Sequence, residues 1–429
     1  LAIRNYINSL EINPNYLIAL QNFAVCLQNF KFLKYSSITE KHILNLLEKN
    51  RIFRPVDIVN TLIRFIYLNT EYNSTINNIK EIGNKISLDE IIYKILKIKI
   101  LMKLLEITPI TDLQIEGVLK NLRSKILLNI TSIKNNNNAF KLMKLIASQC
   151  YINEYIYPIQ AEEKLALIKL EKKFKNKFKI NNLEVACLAA YKPLNSYSWS
   201  NKILNIKEIE NLVEQQINNP QKEINIRKNI KFKEINNMVS LKVKNQYEKS
   251  PYPRWEKIAL KNNQVKPIDF FKNLNLNIDE KYINKWNNIN VLVAGCGTGQ
   301  HAITTASKYK NAFITALDLS AQSLSYAKRK ADELEIKNID FVQMDLLNLK
   351  SYKKKFNIIE AVGVLHHMDK PYEGWKILCD NLVTGGLMMI GLYSNIARKH
   401  IVKIRNDIKK LNIKIDKKNI INFREKIIL

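Results

Sequence analysis

The stretch VLVAGCGTGQHA, residues 291–302, constrains this chain more than any other. An apolar run suited to a buried strand gives way to Gly295, Gly297 and Gly299 at alternate positions, after which apolar residues return at helical spacing. Glycines placed so allow positive φ and let a ligand or a neighbouring segment approach where a Cβ would collide. From there to residue 394 the sequence alternates: NVLVAG, FITALDL, IDFVQMDL, FNIIEAVGVL and GLMMIGLYS read as strands, and QHAITTASKYK, AQSLSYAKRKADELE and PYEGWKILCDNL read as helices. Strands separated by helices of this length predict parallel βαβ units in a Rossmann-like, doubly wound sheet, with ligands at the carboxyl ends of the strands.

The three glycines form G-x-G-x-G. A dinucleotide turn wants G-x-G-x-x-G, whose last glycine would fall on Gln300, so a pyrophosphate is not the expected ligand. The next strand ends in ALDLS, putting Asp318 and Leu319 beside the turn, with the carboxylate able to accept from both hydroxyls of a ribose. The third strand ends at Met344 and Asp345, suited to flank an adenine ring and accept from its amino group; Asp345 equally reads as a helix N-cap before LLNL.

Together these residues resemble the class I S-adenosylmethionine-dependent methyltransferases over about residues 290–394. The longer strings LSAQSLSYAKRKADEL, NIIEAVGVLHHMDKPYEGWKIL, GGLMMIGLYSNIAR, ASQCYINEYIY and NQYEKSPYPRWE are similar to a group of bacterial proteins that join tetratricopeptide repeats to such a domain. The resemblance implies S-adenosylmethionine as cofactor, held by Gly295, Cys296, Gly297, Thr298, Gly299, Asp318, Leu319, Met344, Asp345 and Val364, and an unidentified acceptor, small molecule or protein. Two positions depart from the wider class: Val293 stands where an acidic residue often precedes the first glycine, and Asn357 where an aspartate is usual. His366 and His367, in GVLHHM, fall where a substrate could be oriented or a proton taken; alternatively one ring packs beneath the loop and the other is solvated. No third ligand accompanies them, so no metal is expected.

The first 240 or so residues predict an all-helical region. Apolar residues recur at spacings of three and four in TEKHILNLLEKN, VDIVNTLIRFIYL, LDEIIYKILKIKILMKLLEI, DLQIEGVLKNLRSKILLNI, AFKLMKLIASQC and AEEKLALIKLEKKF, and Ser37 is an N-cap candidate three before Glu40. Within residues 1–35, Ala2, Tyr6, Ser9 and Pro14 match the second helix of a tetratricopeptide repeat, and Phe23 and Ala24 the next repeat's first helix, although an ordinary helical hairpin would look alike. The expected organisation is the end of a repeat array at 1–35, a helical domain at 36–240, a linker at 241–287 and the methyltransferase domain at 288–429. In that linker, Pro251 and Pro253 hold PYPRW extended, and Tyr252, Arg254 and Trp255 are either docking anchors or a lid over the site. In ASQCYINEYIY, Cys150, Ile152 and the tyrosines read as core, with Asn153 and Glu154 open to a substrate role.

Composition narrows the remaining classes. The formal net charge of +29 suggests nucleic acid, but residues 288–395 carry 12 basic against 10 acidic side chains, and the lysines elsewhere are interspersed with isoleucine and asparagine. Solvated helix faces explain that pattern better than a phosphate groove. The five cysteines show no paired or metal-like spacing and sit in apolar surroundings, as reduced thiols in a cytoplasmic protein would. Lysines interrupt every long apolar segment, so no membrane span is expected. The absent initiator methionine and the lack of a final strand hairpin after residue 394 suggest a piece of a longer chain. A different class also fits: an interaction scaffold, its partner held by the helical repeats, on a degenerate methyltransferase fold.

Overall fold

The computed structural model describes residues 1–81, 86–133, 135–176, 181–261, 263–274, 276–414 and 416–428. The chain divides into two compact units. One, helical, comprises Leu1–Pro220, Trp255–Ala259 and Asp416–Leu429; the other, built on a sheet, comprises Gln221–Arg254 and Leu260–Ile415.

In the helical unit, amphipathic helices enclose one core through Leu10, Phe23, Ile43, Phe65, Ile92, Leu122, Ile146 and Val185, all fully buried. Most helices fall where the apolar spacing predicts, with two differences. The segment expected as one helix over 88–107 is two, Leu88–Leu96 and Lys99–Ile107, broken at Ile98. Apolar periodicity runs through the break because Ile95, Ile98 and Leu101 are all buried on either side of it. The Ser37–Glu48 helix is capped by Ser36, whose hydroxyl accepts from Thr39 N at 3.4 Å, so Ser37 is its first residue rather than its cap. The Ala2–Ile12 and Leu17–Leu27 helices pack on each other with Leu10, Phe23 and Ala24 buried.

Two buried polar side chains of this unit bond to loop backbone. Gln149 accepts from Ile110 N at 2.8 Å and donates to Leu105 O at 3.1 Å and Thr108 O at 2.8 Å, which satisfies an amide that burial would otherwise penalise. Arg123 donates to Pro158 O at 2.6 Å, lies 3.7 Å from Glu163 and stacks over Tyr191. ASQCYINEYIY closes the Asn137–Ile152 helix, burying Cys150, Tyr155 and Tyr157 against this cluster. Arg424, in the Lys417–Ile428 helix, pairs with Glu116.

The sheet unit contains six parallel strands, β1 (Lys231–Phe232), β2 (Ile289–Ala294), β3 (Ala312–Asp318), β4 (Ile339–Gln343), β5 (Phe356–Val362) and β6 (Leu382–Gly391), in the order β1-β4-β3-β2-β5-β6. The four inner strands read as near-continuous apolar runs because both faces of a parallel sheet are covered. Strand β1 was not foreseen: both residues are exposed, and a lysine beside a phenylalanine in a basic stretch carries no strand signal. Strand β6 begins earlier than expected because a bulge lies between its pairings at Leu382 and Leu387.

The stretch expected as a linker is structured and mostly belongs to this unit. Its Met238–Lys249 helix packs on the Ala321–Glu333 helix, where Glu248 accepts from Ala321 N at 2.8 Å and Gln322 N at 3.3 Å. A carboxylate there satisfies open amides at a helix start. Among the described residues, the first helix after β6 is Lys399–Lys410, and no helix is long and apolar enough to cross a membrane. Of the cysteines, Cys150, Cys187 and Cys296 are buried, Cys26 is half-buried and packs against the helical core, and Cys379 is exposed, so the apolar setting expected for all five fails at Cys379.

Candidate ligand-binding site

The carboxyl ends of β2, β3, β4 and β5 converge on a cavity of about 370 Å³, within the range of small-molecule sites. The glycine turn forms its floor. Gly297 has φ of +53° and Gly299 of +83°, which only glycine adopts without strain. A Cβ on Gly295 would run into Val364, so the loop after β5 can close on the turn only because that side chain is missing.

Asp318 sits at the end of β3, where its carboxylate accepts from Gly297 N at 2.8 Å through one oxygen and from Ser320 N at 2.9 Å through the other. The Leu319 backbone N–H is a further donor to this carboxylate. Burial pushes this carboxyl above its ordinary value, and the backbone donors pull it part of the way back. The side chain thus ties the β2 turn to the β3 turn and still offers acceptors to the cavity it lines.

Asp345 is buried and serves the capping role: its Oδ1 accepts from Leu347 N at 3.0 Å, at the start of the Leu346–Ser351 turn of helix. It also lines the cavity, together with Met344 and Leu346. The two sequence readings of Asp345 are therefore compatible. Cys296, Thr298, Leu319 and Val364 line the cavity as well, whereas Gly299 does not; a Cβ there would meet Ala327 of the Ala321–Glu333 helix, so this glycine serves helix packing.

The remaining expected site residues are divided. His367 lines the cavity and His366 does not. The His366 ring lies against Tyr393, with centroids 3.9 Å apart, and among the described residues neither of its nitrogens has a hydrogen-bond partner. Burial pushes both histidines below their ordinary value, as do nearby Arg398 and Arg405, so both rings are neutral at physiological pH. Arg398 stacks over the other partner in this group, Tyr393, at 3.7 Å.

In PYPRW, Tyr252 lines the cavity and stays largely exposed, and Thr298 Oγ1 donates to Pro253 O at 2.7 Å, fastening the segment to the glycine turn. Arg254 is not part of the lining, and Trp255 is buried in the helical unit. Of the three residues read as either docking anchors or a lid, only Tyr252 lines the cavity, and Trp255 is packed as an anchor would be. Lining residues that sequence reasoning missed are Ser240, Val243 and Tyr247 on the Met238–Lys249 helix, His301 after the turn, and Tyr393 after β6. NQYEKSPYPRWE and GGLMMIGLYSNIAR contain Tyr247 and Tyr393, so the resemblance marked two of them without assigning a role. Among the described residues no group of three or more His, Cys, Asp or Glu is placed to hold a metal.

Residues 285–425 match the family model described as a methyltransferase domain. An uncharacterised protein of Synechococcus sp. is 34% identical over 119 residues, 28% of this chain and 28% of that protein. A probable (S)-tetrahydroprotoberberine N-methyltransferase of Papaver bracteatum is 35% identical over 78 residues, 18% of this chain and 22% of that one. The chain thus spans about a quarter of the length of these curated relatives. Among solved structures, magnesium protoporphyrin IX methyltransferase from Synechocystis PCC 6803 with bound SAH aligns at 18% identity and a TM-score of 0.28, covering 39% of this chain and 78% of that one. Residues 285–425 are therefore similar to a methyltransferase domain.

Proposed function

We propose that the cavity binds S-adenosylmethionine and that the protein transfers its methyl group to an acceptor entering past His367, Tyr252 and Tyr393. Asp318 carries the reading: a half-buried carboxylate that lines the cavity and is anchored through both oxygens fits a ribose diol, while the turn beside it lacks the spacing for a pyrophosphate. The neighbouring wall suits an adenine, with Met344, Leu346 and Leu319 as apolar surface and Asp345 as acceptor.

S-adenosylmethionine supplies an already activated methyl group, so what is asked of this chain is alignment and exclusion of water. Val364 and Met368 provide apolar surface beyond the glycine turn, and Tyr247 and Tyr252 wall the cavity. His367, neutral at physiological pH, is available to take a proton from an acceptor that needs deprotonation. His366, stacked on Tyr393, acts as support for that wall. The helical unit, whose first two helices fit the spacing of a tetratricopeptide-repeat end, is assigned the holding of a protein partner or acceptor.

Thermal-shift titration with S-adenosylmethionine, S-adenosylhomocysteine and NAD tests the reading. A ligand at 100 times its dissociation constant stabilises by about 2.7 kcal/mol. The two sulfur ligands should raise the melting temperature and NAD should leave it unchanged; a shift with NAD alone would overturn the assignment.

A further inference from the structure

The side of the cavity assigned to the acceptor carries positive charge that S-adenosylmethionine binding, as described, leaves unused. Tyr393 lines the cavity, with its ring 3.9 Å from that of His366 and 6.1 Å from that of His367 between centroids. Arg398 lies over the same ring, its guanidinium carbon 3.7 Å from the centroid. Tyr393 is thus packed between an imidazole and a guanidinium, a fixed post that carries Arg398. Contact with a ring face uses none of the five N–H donors of a guanidinium. After burial, the charges of Arg398 and of Arg405, on the Lys399–Lys410 helix, both help to hold the two histidines below their ordinary value, so both cations stand near them. Among the described residues neither arginine forms an ion pair with a carboxylate.

The acids of the cavity region are engaged elsewhere. Asp318 and Asp345 are bonded to backbone amides after β3 and β4. Glu360, 3% exposed on β5, lies 2.7 Å from His301 Nε2, accepts from Thr305 Oγ1 at 2.6 Å and lies 3.6 Å from Lys308 Nζ. The segment that leaves the cavity, residues 392–410, carries six Lys and Arg against one acid, Asp407. A cationic acceptor meets like charge on this side, and an anionic one meets unpaired donors.

Aromatic surface adjoins these charges. Tyr252 lines the cavity and is 72% exposed, and His367 lines it as a neutral ring. A large ring left in water at the edge of a cavity is surface that a second ring can cover, with a gain beyond the area buried.

Resting on the S-adenosylmethionine reading, we propose that the methyl acceptor is an aromatic carboxylate whose ring packs on Tyr252 and whose carboxylate is bound by Arg398 and Arg405. Arg398 is held in place by Tyr393 before the acceptor arrives, so little side-chain freedom is lost on binding. Its planar fork matches a carboxylate in two parallel bonds, which fixes direction as well as charge. Both arginines are on this account acceptor-binding residues.

The test is calorimetry on the full chain saturated with S-adenosylhomocysteine, using para-hydroxybenzoate, para-hydroxybenzyl alcohol and para-hydroxybenzylamine at constant ionic strength. The three share a ring and differ in charge. A hydrogen bond to a charged partner is worth about tenfold or more in affinity. Wild type should bind the benzoate at least about tenfold more tightly than the alcohol, with the amine weakest. Arg398→Gln and Arg405→Gln should each remove most of that preference while binding S-adenosylhomocysteine as wild type does, since neither arginine lines the cavity. Arg398→Lys, which keeps the charge without the fork, should recover part of it, and Tyr252→Ala should weaken benzoate and alcohol alike. Equal binding of the three probes, binding of none, or a preference that survives both Gln variants would overturn the inference while the S-adenosylmethionine reading stands. Acetate binding as tightly as the benzoate would remove the ring from the proposal, and a hexaglutamate peptide binding more tightly would replace it with an acidic protein segment; either result overturns it. Failure of folded wild type to bind S-adenosylhomocysteine appears before any acceptor probe is added, and it removes the underlying reading and the inference together.

Discussion

Two residues of the sheet unit show how burial decides what a polar side chain contributes. Among the described residues, both ring nitrogens of His366 are buried without hydrogen-bond partners, a cost that a ring of the same shape without nitrogens avoids. Its pKa is depressed in the fold, so the unfolded chain takes up a proton first, and stability falls as pH drops through the ordinary value of 6.5. His366→Phe should therefore raise the melting temperature by about 2 °C at pH 8, and by more at pH 6. A fall at both values would mean that the ring makes a polar contact. Glu360 runs the other way. Its depressed pKa contributes stability above the unfolded value of 4.5, lost as pH falls through the folded one. Glu360→Gln should cost about 2 kcal/mol at pH 7 in denaturant titrations, with the difference from wild type shrinking below about pH 4.5. Neither role was legible in the sequence. Glu360 sits inside the apolar run FNIIEAV, 59 positions from His301, and nothing local pairs them.

Elements were legible where their signal is local. The glycine turn announced itself because positive φ and close approach demand glycine, and the inner strands because a doubly covered sheet leaves only apolar residues. Gly299 is where turn and packing meet: at φ of +83° any Cβ is strained, and it would also press on Ala327. Gly299→Ala should destabilise by about 2–3 kcal/mol, seen as a lower urea midpoint with an unchanged slope, whereas Gly117, with nothing within reach of an added Cβ, should accept alanine without loss. Elements that depend on distant partners were not legible. Strand β1 exists through its pairing with Val342 and Gln343 of β4, and the break at Ile98 is hidden by apolar residues on both sides. The Met238–Lys249 helix read as linker because its apolar residues are few and none is fully buried, yet Ser240, Val243 and Tyr247 wall the cavity.

At the scale of the whole chain, charge and chemistry are separated. The excess of lysine lies outside residues 288–395, and the cavity is instead defined by carboxylates, glycines and aromatic rings. The methyltransferase match ends at residue 425, and the helical unit before it accounts for about half of the chain. Periodicity gave that unit its helices, and buried Gln149 and Arg123 bond to backbone within its core. The glycine turn and Asp318 could be found from spacing alone; Tyr247, His301 and Tyr393, which also line the cavity, could not, because they come from three separate segments.

The central claim is that Asp318 holds the ribose of an S-adenosyl ligand, and calorimetric titration of the full chain with S-adenosylhomocysteine tests it most directly. Two carboxylate–hydroxyl bonds at about 1.5–3 kcal/mol each imply that Asp318→Ala weakens binding by roughly a hundredfold or more. The account predicts saturable one-to-one binding by wild type and its loss in the folded variant. Equal affinity for wild type and Asp318→Ala, or no binding by folded wild type, would contradict it.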